Sequence, residues 1–441
     1  MSMNRRDFMK TSVGAVALSS TLTYASRAQA PSTGRFLLSK DGCGRATGYA
    51  EANKIISRDG KTHVAWLDSV EDGFRVRIRT LNRDSGEWSA VYTVGDAHDN
   101  HGGPSLTIDA EGFLHIAYYP HHHPMRYRRS LKPNDASAWT DPEEFGKRTT
   151  YPTLVCGADG TLYCTCRESG DGPWQCNLYT KKPGGVWEGP HTIMVSQHNG
   201  YSHFMDALCW GPGQKTLHLS TRIYGGDPAR GHTVGYMRSH DAGKTWENSR
   251  GESIALPATS ADIEVIASAP TGEGAGLRAG SIASDANGVP YVLYSDYDAK
   301  PTEAFLARAD GAGGWEKRAL LPSMPSELAG HGLLTPGVVS IGEGGRIYLA
   351  LTSVDRRIDA EASLWGNPSS EVVWMEMDSF DGEIASRVIS AIDPETPAWL
   401  PNLERPTGHN GVKRPSLIYT LGERGGKNTE IVSNEVYWTQ A

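Results

Sequence analysis

The sequence predicts an all-β chain folded as a single seven-bladed β-propeller, and three observations carry that prediction. A short hairpin pattern recurs along the whole chain. The composition is rich in turn formers and aromatics, with 50 Gly, 12 Trp and 18 Tyr in 441 residues and only 21% charged residues. That balance argues against a coiled coil, an α-solenoid or a disordered chain. The third observation is the segment Ser239–Trp246, which reads S-x-D-x-G-x-T-W, an Asp-box turn common on propellers and structural rather than catalytic.

The repeat decides the fold. Six second strands follow Gly-containing turns: Thr62–Trp66, Leu114–Tyr118, Leu162–Cys166, Leu217–Thr221, Pro290–Tyr294 and Ile347–Leu351. Their starts lie 52, 48, 55, 73 and 57 residues apart. Before each turn stands another apolar run: Lys54–Ile56, Pro104–Leu106, Pro152–Leu154, Ala207–Cys209, Gly280–Ile282 and Gly337–Val339. Two such runs joined by a tight Asp/Gly turn form a β-hairpin. A seventh run, Pro415–Ile418, supplies the last first strand, and the roughly 59 residues per repeat suit a four-stranded blade. A pair of β-sandwiches is the competing fold, but a sandwich has no reason to repeat one hairpin. The segment Val436–Trp438 is expected to help close the ring, which removes open sheet edges.

The N-terminus reads as an address. Asn4–Lys10 matches the twin-arginine export pattern through Arg5 and Arg6, a weakly apolar stretch runs from Val13 to Leu22, and Ala28–Ala30 resembles a cleavage site. Residues 1–30 are therefore expected to be a signal peptide and 31–441 the mature catalytic domain, exported folded to the periplasm or beyond. Removing the signal takes the net charge from −8 to −11, which argues against nucleic acid as a partner. The apolar stretch is too short to span a bilayer, so no membrane partner is expected; the protein is separately expected to be a monomer. The six cysteines Cys43, Cys156, Cys164, Cys166, Cys176 and Cys209 contain no C-x-x-C pair. Buried free thiols are the expectation, with a disulfide or zinc site between neighbouring strands as the alternative.

Hairpin geometry picks out the candidate site. The residue entering the first strand and the residue leaving the second lie at the same end, so these slots ring one mouth of a propeller. Entry slots hold His101, Tyr151 and the Tyr201/His203 stretch; exit slots hold His121, Arg167 and Arg222. The corresponding exits of three other repeats are Leu67, Ser295 and Thr352, so titratable groups concentrate on three consecutive hairpins. His63, His115 and His218 occupy a slot also filled by Tyr163, Tyr291 and Tyr348, and are structural slot-fillers. Glycoside hydrolysis needs two flanking carboxylates, and the rich side of the ring shows none. Two His, a Tyr and two Arg instead suit removal of the proton α to a carboxylate. Arg neutralises the developing charge, and His and Tyr share the acid and base roles.

These residues also resemble those of the propeller polysaccharide lyases, the ulvan lyases and the rhamnosyl-glucuronate lyases acting on gum arabic side chains. The resemblance rests on Asn100–Pro104, His121 followed by Pro124–Ser130, Tyr151–Pro152 and Arg167. It implies β-elimination next to a uronate of an acidic polysaccharide or oligosaccharide. His101 and Tyr151 would be the acid/base pair in an order left open, and Arg167 the carboxylate neutraliser. His121 and Arg222 would complete the sugar site, with a further tyrosine at Tyr201 or Tyr224. No cofactor or metal is expected for the chemistry, and a structural Ca²⁺ or Zn²⁺ is left open. Two other classes stay open: a sialidase-like hydrolase, drawing further arginines from Arg278 and Arg414, and a non-catalytic carbohydrate-binding propeller.

Overall fold

The computed structural model describes residues 34–224, 232–269, 276–355, 357, 365–393 and 395–440. Strands dominate these residues, with only three-residue 3-10 turns besides, and no helix among them is long and apolar enough to cross a membrane. The signal-peptide expectation falls on residues outside the described ones. All pairings between named strands are antiparallel.

Sequence-consecutive strands pair into meanders. The first comprises Ile55–Arg58, Lys61–Val70, Gly73–Asn82 and Tyr92–Ala97. The second comprises Ser105–Ile108, Leu114–Tyr118 and His123–Lys132, edged by the start of the 14-residue strand Glu143–Cys156. The rest of that long strand opens the third, followed by Leu162–Glu168, Gln175–Lys181 and Trp187–Val195. The fourth begins with His203–Trp210, Leu217–Tyr224 and His232–Ser239, the last flanked by Glu264–Ala269. Leu277–Ser284 through Trp315–Ala319 and Gly332–Ile341 through Ala385–Val388 form two further four-stranded sheets. The final meander takes Ala398–Leu403, Ser416–Leu421 and Asn434–Gln440 and is completed by the N-terminal strand Phe36–Gly42, in which Phe36 faces Trp438 and Leu37 faces Tyr437. No boundary divides the strands between Phe36 and Gln440 into separate units.

One element differs from expectation. The Pro415–Ile418 run is not the first strand of its repeat: Ser416–Leu421 lies between Ala398–Leu403 and Asn434–Gln440. The first strand is Ala398–Leu403, and a long loop rather than a tight Gly turn joins it to the second, so the repeat pattern fails there. The Asp-box turn forms as expected: Asp241 Oδ1 accepts from the Thr245 backbone N–H at 2.8 Å, and the Trp246 indole donates to the Gly243 carbonyl at 3.0 Å.

Apolar faces of successive meanders interlock. Ile78 and Val94 pack with Leu106 and Ile116, and Leu293 packs with Val339 and Leu349, all fully buried. Each such side chain contributes about 1.5–3 kcal/mol relative to exposure. All six cysteines are buried free thiols, as expected, and burial pushes Cys43, Cys156 and Cys209 up to about 12.

A segment without repeat character, residues 43–54, links the N-terminal strand to the first meander. Polar side chains from distant strands pin its backbone. Asn402 Nδ2 donates to the carbonyls of Tyr49 at 3.0 Å and Ala52 at 2.9 Å, and Arg405 Nη2 donates to that of Glu51 at 3.0 Å. Lys54, itself buried, donates to the Pro104 carbonyl at 2.9 Å. Buried carbonyls without such donors would cost stability, so these contacts fix where the segment's side chains project.

Candidate active site

The second and third meanders bring the predicted mouth residues together. His101 precedes the strand Ser105–Ile108 and His121 follows Leu114–Tyr118, so one hairpin delivers both at the same end. Their rings stack with centroids 3.8 Å apart. Asp99 bridges their Nδ1 edges. Its Oδ1 accepts from the His101 backbone N–H at 2.8 Å and lies 3.1 Å from Nδ1, and its Oδ2 lies 2.5 Å from His121 Nδ1. Burial alone would raise the Asp99 pKa, but the bonds to His101 and His121 hold it well below the usual carboxylate range. Among the three adjacent histidines, His121 is the one that meets Asp99. His122 turns away to Ser169 Oγ at 2.6 Å, which settles the register of the tract.

His101 has a second partner that the repeat did not predict. Arg45, on the linking segment, places Nη1 2.6 Å from His101 Nε2 and 2.5 Å from the Tyr49 hydroxyl. A guanidinium only donates, so Nε2 carries the lone pair and Nδ1 carries the proton toward Asp99. Burial, with the Arg45 and His121 charges, pushes His101 down to about 3 against the pull of Asp99. The ring is therefore neutral at neutral pH.

The third hairpin supplies the other half. Tyr151 sits at φ 59°, a left-handed conformation that costs a non-glycine residue about 1–3 kcal/mol and marks a position held by its surroundings. The ladder register shifts between Thr150 and Thr153, so a bulge at Tyr151–Pro152 re-aims the phenol out of the strand's alternation. Arg167 pairs across the ladder with Thr150, which puts its guanidinium over the Tyr151 ring at 4.6 Å. It also lies 4.8 Å from the Trp174 ring and 5.8 Å from that of Tyr201. Arg167 is 2% exposed, and its Nε and Nη1 have no hydrogen-bond partner among the described residues. A buried cation with unpaired donors is expensive; an anionic group entering beside Tyr151 and Trp174 would satisfy it. Burial raises the Tyr151 pKa against the opposing pull of Arg167, so the phenol keeps its proton. Tyr49 meets Tyr151 edge-on at 4.7 Å, which joins the two halves of the site.

His101, His121, Tyr151, Arg167 and Tyr201 thus form one chain of contacts. Arg222 turns elsewhere: it donates to the Leu277 carbonyl at 2.9 Å and meets His232 Nδ1 at 2.8 Å, with Arg278 on the same imidazole at 3.2 Å. His203 and Tyr224 face each other across the backbone ladder, but their side chains lie outside the described residues. Arg414 lies against Glu376 at 3.5 Å. The residues missed from sequence are Arg45, Tyr49, Asp99 and Trp174. Asp99, two residues ahead of His101, carried the one available signal.

Asp99, His101 and His121 have ligand-type atoms within 4.8 Å of one another, a spacing that could hold a metal ion. Both Nδ1 atoms, however, already address the carboxylate. The set is satisfied as a carboxylate shared by two imidazoles, and a metal would have to displace those bonds.

The family model for the BNR repeat-containing family matches residues 61–321. An ulvan lyase of Alteromonas sp. (strain LOR) is 26% identical over 246 residues, 46% of this chain and 50% of the relative. An ulvan lyase of Pseudoalteromonas sp. (strain PLSV) is 25% identical over 296 residues, 57% of this chain and 59% of the relative. The chain thus spans about half the length of the curated relatives it matches. Among solved structures, a PL25 ulvan lyase superimposes with a TM-score of 0.68 at 16% identity, covering 92% of this chain and 95% of the other. A PL25 ulvan lyase bound to -[GlcA(1-4)Rha3S]- gives a TM-score of 0.67 at 16% identity, covering 92% and 95%.

Proposed function

The chain belongs to the BNR repeat-containing family, and from that starting point we propose that it is a lyase cutting an acidic polysaccharide of the ulvan type next to a glucuronate. The observation that carries this reading is the buried Arg167 guanidinium lying over Tyr151, its Nε and Nη1 without a partner among the described residues. A uronate carboxylate is the planar anion that matches that fork. The names of the relatives support the substrate class.

In the proposed reaction the carboxylate binds Arg167, which stabilises the dianion that forms as the C5 proton leaves. His101 Nε2, which carries the lone pair, takes that proton. The C5 electron pair becomes the C4=C5 double bond, the C4–O bond breaks, and the departing oxygen takes the proton of Tyr151. Proton transfer from the His101 imidazolium to the Tyr151 phenolate then restores both groups. His121, stacked on His101, shares the Asp99 carboxylate with it and so fixes its position, and Tyr201 extends the aromatic wall beside Arg167. Arg222, which bonds to Leu277 and His232 instead of joining this chain of contacts, takes no part in the step.

The remaining proposals are architectural. The seven meanders are taken as blades of one propeller, with the N-terminal strand closing the last, and residues 31–441 as one catalytic domain. Export through the twin-arginine route rests on Arg5 and Arg6, and replacing both by Lys should leave folded precursor in the cytoplasm. The activity is tested by incubating the protein with a panel of uronate polysaccharides and following ultraviolet absorbance. A rising signal from a new C4=C5 bond is expected; a saturated reducing sugar without it would mean hydrolysis.

A further inference from the structure

We propose that Arg45 is a cap on His101 that the substrate's own carboxylate removes, so that only an acidic sugar exposes the base. The inference rests on the uronate reading above and concerns a residue outside the repeat.

The one lone pair of the neutral His101 ring is occupied. Nη1 of Arg45 lies 2.6 Å from Nε2, while Nδ1 is committed to Asp99 at 3.1 Å. A base whose lone pair is already hydrogen-bonded to a cation cannot accept a carbon-bound proton. The cap is held lightly. Among the described residues its hydrogen-bond partners are a neutral imidazole and the neutral Tyr49 phenol, its Nε has no partner, and its guanidinium stands 5.9 Å from the ring centroids of both Tyr49 and Trp365. A carboxylate is the stronger acceptor, since it brings an opposite charge and two oxygens to the guanidinium fork where the imidazole and the phenol are neutral.

The geometry places such a carboxylate within reach. Arg167 lies over Tyr151, Tyr49 meets Tyr151 edge-on at 4.7 Å, and Arg45 is bonded to Tyr49. The two guanidinia therefore flank the Tyr49–Tyr151 pair. A carboxylate bound to Arg167 draws Arg45 off Nε2, which both frees the lone pair and removes the cation nearest to it. A neutral sugar does neither. Arg45 acts through His101 and is a positioning residue. Its role needs the linking segment to be fixed, and the bonds from Asn402 and Arg405 to that segment do so.

The test reads His101 directly and without turnover. Carbethoxylation of His101 by diethylpyrocarbonate, followed by mass spectrometry, is expected to be at least tenfold faster in ligand-free Arg45→Ala than in the wild type. Arg45→Gln, which retains bulk and a donor, should lie between and guards against a folding defect in the alanine variant. In ¹⁵N-labelled wild-type protein, saturating glucuronate should shift the His101 Nε2 resonance, and glucose at the same concentration should not. Equal carbethoxylation rates in both variants and the wild type would overturn the cap. So would an Nε2 resonance that ignores glucuronate. If glucuronate moves the resonance while no uronate polysaccharide yields a double bond, the cap stands and the lyase reading fails.

Discussion

The two ends of the same hairpins use histidine in opposite ways. Near the turns, His63, His115 and His218 stand in equivalent slots. Each bonds through Nδ1 to a hydroxyl on the neighbouring strand: Thr80 at 2.8 Å, Tyr127 at 2.7 Å and Tyr236 at 2.7 Å. At the mouth, His101 and His121 share a single buried carboxylate, and His101 faces a guanidinium rather than a hydroxyl. Burial is comparable for His101 and His115, at 6% and 5% exposed, so it does not separate them. What separates them is repetition. A histidine whose hydroxyl partner recurs from repeat to repeat is structural, even where a second bond reaches out as that of His63 does to Asn134; one faced by a guanidinium from outside the repeat can react.

The largest effects should fall at the mouth. His101→Ala and Tyr151→Phe should each lower turnover roughly 10²–10⁴-fold, the usual contribution of a positioned acid or base. Melting temperature should stay near that of the wild type. Full activity in either variant would erase the distinction between the two ends. Asp99→Asn comes next. It exchanges a carboxylate acceptor for an amide at two imidazoles, and losing about 1.5–3 kcal/mol of charge-assisted bonding corresponds to a roughly 10–100-fold loss in turnover. An unchanged kcat would remove Asp99 from the site.

At the turn end the expectation reverses. His218→Ala should cost about 1–3 kcal/mol of stability by orphaning the Tyr236 hydroxyl, read by denaturant unfolding, and leave kcat intact. The smallest effect concerns pH. Burial lowers His63 to about 4 and His218 to about 3, below the unfolded value of 6.5. The unfolded chain therefore takes up these protons first, and the stability these histidines provide above pH ~6.5 is lost as pH falls toward 3–4, by up to about 1.4 kcal/mol per histidine per pH unit. Glu51 and Glu371, raised by burial to about 7, act in the opposite sense, since the folded state holds their protons and loses that advantage as pH rises. Replacing His218 by Asn should shallow the acid limb of the melting curve; an unchanged limb would show that this histidine does not contribute to it.

The same contrast explains what was legible in the sequence. His101, His121, Tyr151 and Arg167 could be found because the hairpin repeat fixes where a slot lies, and these slots carry residues that the other repeats do not. Arg45 and Tyr49 could not, because residues 43–54 follow no period and are positioned by Asn402, 353 residues from Tyr49 in the chain. Trp174 lies on a loop ahead of its strand, where nothing periodic marks it. Asp99 was readable only as a carboxylate two residues from a histidine, a pattern too common to single out. The last repeat was misplaced for a related reason: its first two strands are joined by a long loop instead of a Gly turn, so the matching apolar run was its second strand.

The most direct test of the account is the turnover of Arg167→Lys on a uronate polysaccharide, followed as double-bond formation in protein whose melting curve matches the wild type. Lys keeps the positive charge and loses the planar fork. A folded variant with almost no activity is the result predicted for a guanidinium that holds the carboxylate while its charge develops. A variant that retains most of its turnover would contradict it.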